Sequence, residues 1–234
     1  MTLVEHLQEL RVRLFKCGLA IAAGSVGGWF LSARIETLMD APICQAFSHK
    51  HCTLYVDTVY GGFTLQMKIA ILVGFGFALP VTIYQIWKFV APAFGSGANR
   101  WAPLWMVSAL VLFGGGATTG YFVIPLALNF FSHFQSDNVT ILVFATQYLN
   151  FILLILLVFG ISFELPLVLT SLTAAGVTSS HWLASKHVYF FFGIFVFSTV
   201  FTPGADLISP IVLGGILYVL YWLSVLFSRF VLRK

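Results

Sequence analysis

The chain has 234 residues, of which 59% are hydrophobic and only 9% charged, with 12 Lys+Arg against 8 Asp+Glu and a formal net charge of +4. Soluble domains carry about 25% charged residues, and a soluble fold of this length cannot hide so much apolar surface, so the composition excludes an ordinary soluble domain and predicts an integral membrane protein solvated largely by lipid. A charge of +4 is too small to make nucleic acid the partner, and no repeat or low-complexity tract divides the chain, so a single domain over 1–234 is expected.

Residues 1–14 predict a cytoplasmic amphipathic helix, with no cleavable leader ahead of the first apolar run. Thr2 and Glu5 have the spacing of a capping box. Leu3, Leu7, Leu10 and Leu14 recur at helical spacing. Glu9 and Arg13 are four apart with the acid first, the better order for a helical ion pair. Two readings stay open for Glu9: pairing with Arg13 in a helix that lies on the membrane surface, or presentation to a cationic partner.

A bilayer span needs about 20 mostly apolar residues. Six stretches qualify, at 15–33, 67–87, 101–124, 148–174, 187–202 and 208–228. The fifth is short, which predicts a thinned bilayer or shelter by neighbouring helices. Basic residues in short loops set the orientation. With both termini cytoplasmic, Arg11, Arg13, Lys16, Lys88, Arg100, Lys186, Arg229, Arg233 and Lys234 fall inside. Arg34 and Lys50 lie outside with Glu36, Asp40, Asp57, Asp137 and Asp206, and Lys68 sits at a membrane boundary. The expectation is an all-α membrane protein of six spans with both ends in the cytoplasm.

Residues 34–66 make the sizeable outer loop, holding Pro42, Cys44, His49, His51 and Cys52. Cys44 and Cys52 pair if that side is oxidising, and stay free otherwise. The run Cys-x4-His-x-His-Cys has no trusted metal-ligand spacing, so no metal is expected. Cys17 reads as a small core hydrophobe. Pro80 and Pro125 close the ends of spans two and three. Gln85 and Trp87 suit the membrane interface, with a cavity shared with Glu164 as the alternative for Gln85. Gly114-Gly115-Gly116, in apolar surroundings, predicts a close helix contact rather than a phosphate loop.

Span four carries the sharpest signal. No Asp, Glu, Lys or Arg occurs from Asn138 to Phe163 or from Leu165 to Ser185, and Glu164 stands alone between them. Insertion scales put Asp, Lys or Arg at a helix centre at roughly 2.5 to 3.5 kcal/mol. Such an acid is read as functional, facing a partner or a wet cavity. Pro166 loosens the helix beside it and frees a carbonyl. No histidine falls in a His-Glu-x-x-His motif, and no Gly-x-Ser-x-Gly or phosphate-loop motif is present. Neither catalysis nor a cofactor is expected.

Together these segments resemble the TatC family, the C subunit of the twin-arginine protein translocase. The segments are His6-Leu7-Gln8-Glu9-Leu10-Arg11-Val12-Arg13-Leu14, Ala41-Pro42, the run from Leu79 to Ala93, Phe159-Gly160-Ile161-Ser162-Phe163-Glu164-Leu165-Pro166, Phe201-Thr202-Pro203 with Asp206, and Phe227-Ser228-Arg229-Phe230. The resemblance implies a concave, glove-like six-helix bundle with short spans five and six. It implies a receptor that recognises twin-arginine signal peptides of folded cargo and organises single-span TatA/TatB-type subunits, as part of a homo-oligomeric receptor complex driven by the proton motive force. It places the chain in the bacterial cytoplasmic (inner) membrane or the equivalent organelle membrane. By this resemblance Glu9 and Arg13 belong to signal-peptide binding, and Glu164 and Gln85 are intramembrane polar contacts to partners. Pro42, Phe89 and Asp206 are structural loop positions, and span five docks a partner helix. A carboxylate at Glu9 suits a guanidinium because it accepts two parallel hydrogen bonds, a fork that lysine imitates poorly.

The chain departs from the family pattern in places. A second signal-binding acid is replaced by Ala98, a charged inner loop is thinned to Ser185-Lys186-His187, Gly204-Ala205 widens the last outer loop, and a late acid is replaced by Trp222. Two other readings therefore stand beside the receptor: a TatC-derived structural subunit that has lost signal binding, and an ion-coupled transporter using Glu164. The lack of inverted repeats and paired broken helices counts against the second.

Overall fold

The computed structural model describes residues 3–46, 54–94, 101–132, 142–201 and 208–230; His49, His51, Cys52, Ala98, His133 and Asp206 lie outside them. The described chain is helical almost throughout: α1 (Leu3–Ala46), α2 (Gly61–Val90) running into a 3-10 turn (Ala91–Phe94), α3 (Ala102–Ser132), α4 (Ala145–Ser162), α5 (Leu165–Ala174), α6 (Ser180–Ser185), α7 (His187–Phe201) and α8 (Ile208–Phe230). Among the described residues, five segments are long and apolar enough to cross a membrane: Glu5–Gln45, Gly61–Val90, Ala102–Ser132, Ala145–Ala174 and Pro210–Phe230. The fifth predicted span is α7, a shorter apolar helix of 15 residues. At 1.5 Å per residue it measures about 22 Å, against a hydrocarbon core of about 30 Å. The helices gather into two compact units, each described separately below.

The first unit holds Met1–Val90 and Tyr121–Leu153. Its α1 has 44 residues and is about 66 Å long, twice the hydrocarbon thickness. The excess length must stand outside the membrane, with Glu5, Glu9, Arg11, Arg13 and Lys16 marking the N-terminal end and Arg34, Glu36 and Asp40 the other. The amphipathic segment and span one are a single unbroken helix. α1 packs along α2 where glycines let the backbones meet: a Cβ on Gly24 would lie 2.7 Å from the Gly74 carbonyl oxygen. Gln66 donates to Ser32 across the same pair at 3.2 Å.

α1 also runs further than expected. Pro42, expected in the outer loop, is buried inside the helix. Proline has no N–H and its ring crowds the carbonyl four residues back, here that of Leu38. That carbonyl accepts instead from the Tyr121 hydroxyl at 2.7 Å, and the next one, Met39, accepts from the Tyr148 hydroxyl at 2.8 Å. The proline is tolerated because side chains replace the missing amide. Two residues past Pro42, Cys44 is disulfide-bonded, while Cys17 is free. After the outer segment, Tyr55 makes an isolated parallel bridge with Phe144: its amide donates to Val143 at 2.9 Å, and its carbonyl accepts from Ala145 at 2.8 Å.

The second unit holds Ala91–Gly120 and Leu154–Lys234. α5, α6 and α7 pack against α8. The glycine triplet divides in its role: a Cβ on Gly116 would sit 2.5 Å from the Phe159 carbonyl oxygen, whereas Gly114 and Gly115 have no neighbour within 4 Å. Two hydrogen bonds cross between helices here. Trp105 Nε1 donates to Ser171 Oγ at 3.0 Å, and the Tyr221 hydroxyl donates to the Leu183 carbonyl at 2.5 Å.

Candidate functional site

The charged end of α1 meets the end of α2 within the first unit. His6, Glu9 and Arg13 stand at i, i+3 and i+7, so they share a helix face. Arg13 Nε donates to Glu9 Oε1 at 3.1 Å, and Nη2 donates to the same oxygen. The rest of the guanidinium reaches α2: Nη1 donates to the Gln85 carbonyl at 3.4 Å and Nη2 to the Lys88 carbonyl at 3.2 Å. The Lys88 carbonyl is in the last turn of α2, at the negative end of the helix dipole, so a cation is favoured there. The Phe89 ring stacks on His6 with centroids 4.4 Å apart, and Lys88 Nζ lies 4.6 Å over the Tyr84 ring. Arg13 holds the Glu9 carboxyl below its ordinary value of 4.5, with His6 adding a smaller effect in the same direction. Chemically this is a guanidinium site: one carboxylate oxygen and two main-chain carbonyls converge on a planar fork.

The second polar position is Glu164, in the second unit. Pro166 cannot donate to Ser162, so α4 ends there. The turn tightens as the Glu164 amide bonds to Ile161, three residues back, at 3.0 Å, and regular spacing resumes with Val168 to Glu164 at 2.9 Å. This break puts Glu164 on a groove of about 520 Å³ lined by Ser162, Val168, Tyr189, Gly193, Phe197 and Leu217 among others. Among the described residues the Glu164 carboxylate has no hydrogen-bond partner. Ser162 Oγ is buried there without one as well. Glu164 thus stands in a groove wall that is largely apolar.

The structure therefore brings Glu9, Arg13, Phe89 and the Gln85 main chain together. Gln85 contributes its carbonyl, with a half-buried side chain. Phe89, expected in a loop, is in the last turn of α2, where it stacks on His6. Pro42 is helical, and Asp206 lies outside the described residues. Sequence reasoning passed over His6, Lys88 and Ser162. The i, i+3, i+7 spacing on α1 signals His6, and a serine two residues before an intramembrane acid signals Ser162. The Lys88 carbonyl has no sequence signal, since any residue supplies one.

The chain matches the family model of TatC, Sec-independent protein translocase protein, over residues 5–215. It is 32% identical over 231 residues to the Sec-independent protein translocase protein TatC of Frankia casuarinae, covering 94% of this chain and 64% of that protein. Against the TatC of Escherichia coli (strain K12) it is 32% identical over 233 residues, covering 99% and 90%. A crystal structure of the twin-arginine translocase receptor TatC superposes with a TM-score of 0.80 at 32% identity, covering 96% of this chain and 98% of that one. With the apolar helices, the acid at the α4–α5 break and the guanidinium site at the end of α1 and α2 in place, these matches mean that the chain belongs to the TatC family.

Proposed function

We propose that this chain is the receptor subunit of a twin-arginine translocase, a six-span protein with both termini in the cytoplasm of a bacterial inner membrane or the equivalent organelle membrane. Glu9 takes a guanidinium of the paired arginines in a signal peptide. Glu164 offers a hydrogen bond at membrane depth to single-span TatA/TatB-type subunits, and several copies of the chain assemble in one receptor complex. Six spans cannot enclose a pore for a folded protein, so transport needs those partners.

The observation that carries this reading is the convergence of the Glu9 carboxylate with the Gln85 and Lys88 carbonyls on one guanidinium. A site already built around an arginine side chain selects the delocalised, fork-shaped cation over the compact ammonium of lysine. Crosslinking a photo-reactive signal peptide to the purified protein tests it. Crosslinks that need both Arg-Arg, rather than Lys-Lys, and an intact Glu9, rather than Glu9→Ala, support a signal receptor. Their absence in folded protein supports the second reading, a structural subunit that kept the fold and lost recognition, which Ala98 in the place of a second acid favours.

A further inference from the structure

The guanidinium site described above is occupied by the chain itself. Arg13 engages Nε, Nη1 and Nη2 at once, with Glu9 Oε1 and with two carbonyls contributed by α2. Its side chain is 16% exposed, less than the 27% of Glu9. An arriving arginine finds its best set of acceptors filled by an arginine. Taking that place exchanges one guanidinium for another at the same oxygens, so the new contacts replace equal ones.

Building on the receptor reading, we infer that Arg13 is a built-in competitor for the signal-peptide guanidinium, raising the threshold for binding so that a single arginine gains little from Glu9. The first ligand arginine displaces Arg13, and favourable binding comes from what the second adds. A lysine at the exchanged position loses more, because its ammonium cannot span the carboxylate and both carbonyls as the fork does. No covalent step is involved; the exchange is one of hydrogen bonds and charge.

Fluorescence anisotropy with labelled Arg-Arg and Arg-Lys signal peptides, on the full-length protein in nanodiscs, tests the inference. Arg13→Gln is expected to tighten both peptides about two- to fivefold, the range for releasing an ion pair that is partly exposed, with their ratio unchanged, because a competitor seated in the site weakens every ligand by the same factor. Arg13→Lys, which keeps the charge and loses the fork, tightens both by less. Lys16→Gln removes the same charge from a neighbouring exposed position and leaves both affinities unchanged. Weaker or unchanged binding in either Arg13 variant overturns the inference and makes Arg13 a residue that merely orients Glu9. An equal effect from Lys16→Gln overturns it in favour of long-range charge. Glu9→Gln keeps the two levels apart: if it leaves Arg-Arg binding intact, the receptor reading itself fails.

Discussion

The Tyr121 hydroxyl donates to the Leu38 carbonyl at 2.7 Å, the acceptor that Pro42, four residues on, has no amide to meet. A hydrogen bond of this kind contributes about 0.5–1.5 kcal/mol net, so tyrosine and proline are energetically coupled. Tyr121→Phe is expected to lower stability by about 1 kcal/mol. In a Pro42→Ala background, where the helix supplies its own amide, the same change costs close to nothing. Thermal unfolding of the two single variants and the double variant in detergent measures the coupling; equal costs in both backgrounds would show that Tyr121 does not answer the proline.

The Glu9 carboxyl titrates below its ordinary value of 4.5 because Arg13 bonds to its charged form. A carboxyl lowered by folding contributes above its unfolded value, and that contribution fades as pH falls through the lower folded value. Arg-Arg peptide binding should therefore hold at pH 4.5 and decline only below it. Arg13→Gln removes the main cause of the lowering, so the decline should move up towards 4.5. A binding titration on both proteins reads the two midpoints, and coincident midpoints refute the link.

Gly116 and Gly114 stand two residues apart on α3 with opposite expectations. Gly116→Ala drives a methyl to 2.5 Å from the Phe159 carbonyl oxygen, overpacking that typically costs 1–3 kcal/mol. Gly114→Ala enters open space and gains up to about 1 kcal/mol of helix propensity. Melting temperatures of the two variants should therefore move in opposite directions.

At the α4–α5 break, Ser162 and Glu164 separate structure from assembly. Ser162 Oγ is buried without a partner among the described residues, so Ser162→Ala should leave stability unchanged or raise it by up to about 1 kcal/mol. Glu164→Ala should leave the protein folded and able to bind signal peptide, while co-purification of single-span partners and transport fall. Loss of stability with normal transport per folded molecule would make Glu164 a satisfied core acid instead.

What was legible in the sequence is what neighbouring residues decide. Apolar runs, the i,i+4 order of Glu9 and Arg13, and the break that Pro166 imposes are local. Five of the six expected runs are helices long enough to cross a membrane and the remaining one is the shorter α7, while the Glu9–Arg13 pair and the break are found where their residues predict them. What was not legible depends on contacts far apart in the chain. Arg13 meets carbonyls 72 and 75 residues away, and His6 meets Phe89 on another helix. Pro42 reads as a loop residue because proline usually ends helices; tertiary donors on α3 and α4 overrule that signal. Ser162 was missed because serine in a helix commonly bonds back to its own turn and needs no outside partner.

The bridge between Tyr55 and Phe144 has a consequence for biosynthesis. It belongs with the Tyr121–Leu38 and Tyr148–Met39 bonds, all tying the early α1–α2 hairpin to chain that the ribosome makes much later. At 5–20 residues per second, the roughly 90 residues between Tyr55 and Phe144 take on the order of ten seconds to synthesise. For that interval the hairpin can pair through Gly24 and Gly74 but cannot close its outer end. The nascent protein therefore waits half-built, with the proline-freed carbonyl of α1 left to water and lipid headgroups until α3 and α4 arrive.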